Sequence, residues 1–178
     1  AVLDQIERVV RWSNPFSMAF VRCDDAIVRD RLRYRLMDRL RDKRVMELFL
    51  ERPITRLLDE LLARWDRDHP PHAIFIYGLE KSIGAERAES HVLQRLNRDR
   101  NLFPQEIPVA LLFWLPDFAL DDLRRGAPDL YSCRSGSFEV APATADGQCP
   151  LGAVDVQGSS KLPLAGVAPL PSPPKTSS

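Results

Sequence analysis

The sequence predicts an α/β protein, a three-layer α/β/α sandwich around a mainly parallel, five-stranded sheet, carried by residues 1–140. Three observations lead there. Between Phe16 and Val140 the apolar period switches repeatedly between the two-residue spacing of strands and the 3.6-residue spacing of helices. Two strand-like runs, Ala73 to Tyr77 (AIFIY) and Val109 to Leu115 (VALLFWL), lack any polar alternation, so helices must cover both faces of the sheet. The length of 178 residues, with 44% hydrophobic and 28% charged, suits one domain with a sizeable core.

Taken in order, Phe16 to Val21 (FSMAFV) is a short apolar run between Asn14-Pro15 and Cys23-Asp24-Asp25, which suits a strand feeding a helix cap. Asp25 to Leu40 turns helical, with Ile27, Val28, Leu32, Leu36, Met37 and Leu40 expected on one face and arginines on the rest. Val45 to Leu50 (VMELFL) reads as a second strand. Ile54 to Trp65 reads as a helix with Leu57, Leu58, Leu61, Leu62 and Trp65 spaced by three and four, stopped by Pro70-Pro71. Ala73 to Tyr77 is the third strand, followed by the turn Gly78-Leu79-Glu80 and a helix near Arg87 to Asn97. Val109 to Leu115 is the fourth strand, Ala119 to Arg125 a short helix, and Ser137 to Val140 an edge strand. Right-handed crossovers then place the functional edge at the carboxyl ends of the strands.

Composition narrows the function. Lys+Arg and Asp+Glu number 25 each, so no net field favours nucleic acid or an anionic membrane. Cys23, Cys133 and Cys149 form no CxxC pair, which argues against a disulfide framework or a cysteine-rich zinc site and for a reducing cytoplasm. Val109 to Leu115, the longest apolar stretch, is far short of the roughly 20 residues that a membrane helix needs. Ala1 to Trp12 carries Asp4 and Glu7 where a signal peptide would be apolar. From Ala141 to Ser178 the chain has no aromatic residue and is rich in Pro, Gly and Ser, the composition of a linker or disordered tail.

In such folds the loop after the first strand commonly holds a phosphate, using glycines, a lysine and a Ser or Thr for magnesium. Here it reads RCDDAIVRD from Arg22 to Asp30 and lacks all of them. Cys23, Asp24 and Asp25 form a degenerate phosphate loop, in which the two carboxylates cap the helix start and would repel a triphosphate. The third strand runs into IFIYGLEK, a degenerate acid strand of Tyr77, Gly78 and Glu80, with Tyr77 where an NTPase places its magnesium-binding acid and Glu80 near the second acid, for which a capping or surface role is expected. The fourth strand ends Trp114-Leu115-Pro116-Asp117, without a polar residue to sense a γ-phosphate.

Four segments in order carry a family likeness: FVRCDD after the first strand, FIYGLE after the third, LLFWLP after the fourth, and APDLYSCRSGSFEV at the domain end. Together, over about Phe16 to Val140, they resemble the inactive STAND-type, P-loop NTPase-like N-terminal domains of bacterial tetratricopeptide-repeat and related multidomain proteins. The resemblance implies a catalytically silent sandwich with no cofactor, acting as a scaffold that meets a repeat domain, an effector or a sister subunit in signalling or conflict systems. Two departures stand out: a proline-rich tail, not a repeat array, follows Val140, and Cys133 occupies a position where these domains usually carry Trp. Two alternatives stay open, a residual ATP-binding STAND-type switch and a nucleic-acid-binding adaptor using the arginine-rich helix.

Other constellations favour plainer roles. Cys23 with His72 or His91 could pair a thiol with a base, but the neighbouring Asp24 and Asp25 disfavour a thiolate, so a packed thiol is expected. His69 and His72 lack a third ligand nearby and read as a turn. From Arg22 to Arg44 nine basic residues face five acids, with Tyr34 as the one aromatic platform, a pattern expected of a solvated or subunit-facing helix. For the protein interface the sequence points to Tyr131 and Arg134, with Arg124 and Arg125 nearby, because arginine and aromatic residues anchor interfaces.

Overall fold

Strand alternation sorts the apolar side chains onto two sheet faces, and that sorting builds the fold. The computed structural model describes residues 1–13, 15–84 and 91–140; the tail expected from Ala141 onward lies outside the described residues. Five strands, β1 (Ser17–Arg22), β2 (Val45–Phe49), β3 (Ala73–Tyr77), β4 (Ala110–Leu115) and β5 (Gly136–Glu139), form one sheet in the order β2-β3-β4-β1-β5. Every pairing is parallel, with Phe20 opposite Phe113, Ile74 opposite Leu111, Phe49 opposite Tyr77 and Val21 opposite Phe138. The sheet is therefore fully parallel, not merely mainly so, and β5 is the edge strand expected near residue 137.

One face presents Ala19, Val21, Phe75, Tyr77, Leu112 and Trp114 to the helices α1 (Val2–Trp12) and α2 (Ala26–Arg39). The other presents Phe20, Ile74, Ile76, Leu111, Phe113 and Leu115 to α3 (Leu57–Leu62), α4 (Glu80–Ile83), α5 (His91–Asp99), α6 (Phe103–Glu106), α7 (Asp117–Gly126) and α8 (Pro128–Ser132). The two layers of apolar burial are what oppose the conformational entropy of the chain. No helix among the described residues is long and apolar enough to cross a membrane.

Several elements depart from the sequence reading, each for a local reason. Helices α1, α4, α6 and α8 are additions; three of them are single turns of four or five residues, too short to leave a period. In α1 the buried residues Leu3, Ile6 and Val10 fall on one stripe facing the sheet. Helix α3 is shorter than Ile54 to Trp65. The Ile54 amide donates to Ser82 Oγ at 2.9 Å, and after Leu62 the chain tightens into i→i+3 bonds from Arg64 to Leu61 and Trp65 to Leu62. Ile27, expected on the apolar face of α2, is 66% exposed, because Val28, Leu32 and Leu36 form the i, i+4 row that meets the sheet.

Polar links tie the helices of the second layer to one another. The Arg56 guanidinium holds the buried Asp99 carboxylate through Nε (2.7 Å) and Nη2 (3.2 Å), tying the start of α3 to the end of α5. The Asn97 side-chain oxygen accepts from the amides of Asp129 and Leu130 and so caps α8 across 32 residues.

Candidate functional site

The connection after β1 leaves over the α2 face, and the connection after β4 leaves over the α7 face, although β1 and β4 are neighbours. Adjacent chains that part to opposite sides open a crevice at their carboxyl ends, the place where α/β sheets receive ligands. The loop of Cys23, Asp24 and Asp25 stands on its β1 side, and Pro116 and Asp117 on its β4 side.

The protein's own carboxylates close this crevice. Asp25 is the N-cap of α2, its Oδ1 accepting from the amides of Ile27 (2.8 Å) and Val28 (3.2 Å). Asp24 does not join it there, as the sequence suggested; its Oδ1 accepts from the amide of Asp117 at 2.7 Å, at the first residue of α7. Each aspartate thus supplies negative charge at one helix N-terminus, where the dipole favours an anion. Arg22 completes the closure, with Nε 3.0 Å from Asp117 and Nη1 3.3 Å from Glu139, while the Cys23 amide donates to the Leu115 carbonyl at 2.9 Å. A phosphate entering here would meet the carboxylates of Asp24, Asp25 and Asp117 and find the amides of Ile27, Val28 and Asp117 already bonded.

Behind the loop the carboxyl edge is paved with aromatic rings. Phe49, Tyr77 and Trp114 end or nearly end β2, β3 and β4 and lie on one face. Phe49 stacks on Tyr77 at 4.7 Å between centroids and Tyr77 on Trp114 at 5.9 Å, with Phe75 below Trp114. The strand order that sets them side by side is not written in any local motif, so the row escapes the sequence reading. Tyr77 is thus a packing residue. Its hydroxyl donates to Glu47 Oε1 at 3.3 Å, and Glu47 is held in turn by Arg33 through Nε and Nη2 (2.7 Å). The indole Nε1 of Trp114 is buried without a partner among the described residues.

Burial first, and the Glu47 charge second, hold the Tyr77 hydroxyl far above the ordinary tyrosine range. Since the folded state keeps this proton when the unfolded chain releases it, stability falls as pH rises above about 10, the unfolded value. Tyr77→Phe is expected to remove that contribution. Urea midpoints at pH 8 and pH 10.5 check it: the drop between the two is smaller in the variant, and an identical drop would refute the assignment.

The remaining sequence candidates separate in space. Gly78 takes φ 84 and begins the turn into α4; Glu80 opens α4 with its Oε2 buried and unpartnered among the described residues. Cys23 is a packed thiol as expected, pushed up mainly by burial and not mainly by Asp24 and Asp25. His69 lies 3.4 Å from Asp66, His72 Nδ1 accepts from the Arg44 amide, and no group of three metal-ligating residues occurs among the described residues.

Tyr131, Arg124 and Arg134 do come together, on the opposite layer. The Tyr131 ring stacks on Phe20, the Arg134 guanidinium sits 4.0 Å and that of Arg124 5.0 Å from its centroid, and Arg134 Nη1 donates to the Tyr131 carbonyl. Arg134 is therefore built into the α8 turn. Arg125 pairs with Asp122 and stands apart. A groove of about 870 Å³, lined by Arg11, Trp65, Arg67, Pro71, His72 and Glu106 among others, opens at the amino ends of the strands, away from the crevice. No family model and no curated protein matches the chain.

Proposed function

We propose that the protein is a nucleotide-silent, P-loop-like α/β scaffold that acts by binding other proteins. The observation that carries this reading is the self-capped crevice: Asp25 and Asp24 occupy the amides at the starts of α2 and α7, where a phosphate would be held. The aromatic row supports it, since Tyr77 and Trp114 fill with rings the positions where metal-binding and sensing groups would stand. With its charges mostly matched internally, the module offers partners a rigid surface. A bound nucleotide would stabilise the fold by mass action. A thermal melt with millimolar magnesium-ATP is therefore expected to match the melt without it; a clear rise in Tm would favour a residual ATP-binding switch.

A further inference from the structure

The outward side of α2 is a surface without a partner among the described residues. Ile27 and Tyr34, two helical turns apart, are 66% and 69% exposed, and Phe49 at the end of the edge strand β2 is 48% exposed. Arg33 joins two of them: its guanidinium carbon lies 5.3 Å from the Tyr34 ring centroid and 5.1 Å from that of Phe49. Because Glu47 grips the same guanidinium with both carboxylate oxygens, this aromatic and arginine surface is held in place before any partner arrives. Isolated exposed apolar residues need no explanation, whereas tyrosine, phenylalanine and a fixed arginine in contact have the composition of an interface centre.

Charge selects the occupant. Most acids of this flank are already matched: Asp30 by Arg29, Asp38 by Arg41, Glu47 by Arg33, Asp42 by Arg11, and Asp4 by Arg39, while Asp25 is spent on the α2 cap. Arg31 and Arg35, beside Tyr34 on the outer helix face, make no hydrogen bond, ion pair or ring contact with any described residue. The surface is therefore apolar with two uncommitted guanidinium groups at its margin. We propose that it docks an acidic amphipathic segment of another protein, whose apolar side chains cover Ile27, Tyr34 and Phe49 while its carboxylates meet Arg31 and Arg35. A nucleic-acid backbone fits less well, since it asks for a longer row of free cations and gains nothing from Ile27. This inference rests on the scaffold reading and names its contact face.

Fluorescence anisotropy with the full chain tests it, using three labelled 18-residue probes: a Leu/Glu amphipathic peptide, its Leu/Lys counterpart, and a scrambled Leu/Glu peptide of equal charge. A labelled 20-nucleotide single-stranded RNA is the fourth. The Leu/Glu peptide is expected to bind best, and both Arg31→Glu/Arg35→Glu and Ile27→Asp/Tyr34→Asp to weaken it roughly tenfold or more, a hot-spot loss. These positions are exposed, so the variants keep the parent's circular dichroism and melt, and the charge-reversed one shifts its preference toward the Leu/Lys peptide. No binding of the Leu/Glu peptide, equal binding of the scramble, indifference to both variants, or tighter binding of the RNA would each overturn the proposal. A melt raised by magnesium-ATP would instead fail the scaffold reading, whatever the peptides do.

Discussion

Replacing Gly78 with alanine is expected to destabilise the fold by about 3 kcal/mol, the cost of a backbone clash added to left-handed strain. Gly78 has φ 84, and a Cβ placed there would lie 2.3 Å from the carbonyl oxygen of Leu50. That carbonyl cannot swing away freely, because the Leu50 amide donates to the Tyr77 carbonyl at 2.9 Å and extends the β2–β3 ladder past Phe49. Relief would require separating the carboxyl ends of two strands and disturbing the Phe49–Tyr77 stack. Gly84, with an ordinary helical φ of −66, is the comparison, and alanine there is expected to change stability by less than about 1 kcal/mol. Urea denaturation of both variants checks the contrast; a Gly78→Ala protein within about 0.5 kcal/mol of the parent would show that the turn tolerates a side chain.

Trp114→Ala is expected to cost about 4 kcal/mol, in the range for deleting a buried aromatic residue. Trp114 is 2% exposed, contacts the rings of Tyr77 and Phe75, and sits under α2 just behind the crevice. Its removal leaves a hole walled by rings and strand residues that α2 cannot collapse into, since Arg33 and Glu47 pin the helix to β2. Added indole at millimolar concentration is expected to recover part of the lost Tm, as apolar cavities accept ligands of matching shape. A small loss on mutation would mean that the row is incidental to the fold.

The elements most legible in the sequence were those with an undiluted signal. AIFIY and VALLFWL became β3 and β4 almost residue for residue, because runs buried on both faces leave no polar position to misread. The arginine-rich helix was legible in extent but not in facing. Ile27 has the right residue type, yet it sits about 100° from Val28 around the helix, and only the sheet decides which row is buried. Asp24 and Asp25 were legible as caps as a pair, but Asp24 reaches a partner 93 residues away, which no local pattern encodes. The Phe49–Tyr77–Trp114 row needs the β2-β3-β4 order before it exists at all. Arg134 carried an interface expectation from its polar surroundings, while its contacts with Tyr131 give it a place within the α8 turn.

The central claim, that the module's crevice is closed by its own carboxylates and holds no nucleotide, is tested most directly by calorimetric titration of the chain with ATP, with and without magnesium. The expected result is association no tighter than millimolar, about −4 kcal/mol, unchanged by magnesium and by Asp24→Asn or Glu80→Gln. A magnesium-dependent micromolar dissociation constant that either substitution abolishes would contradict the claim and make the protein an ATP-binding switch.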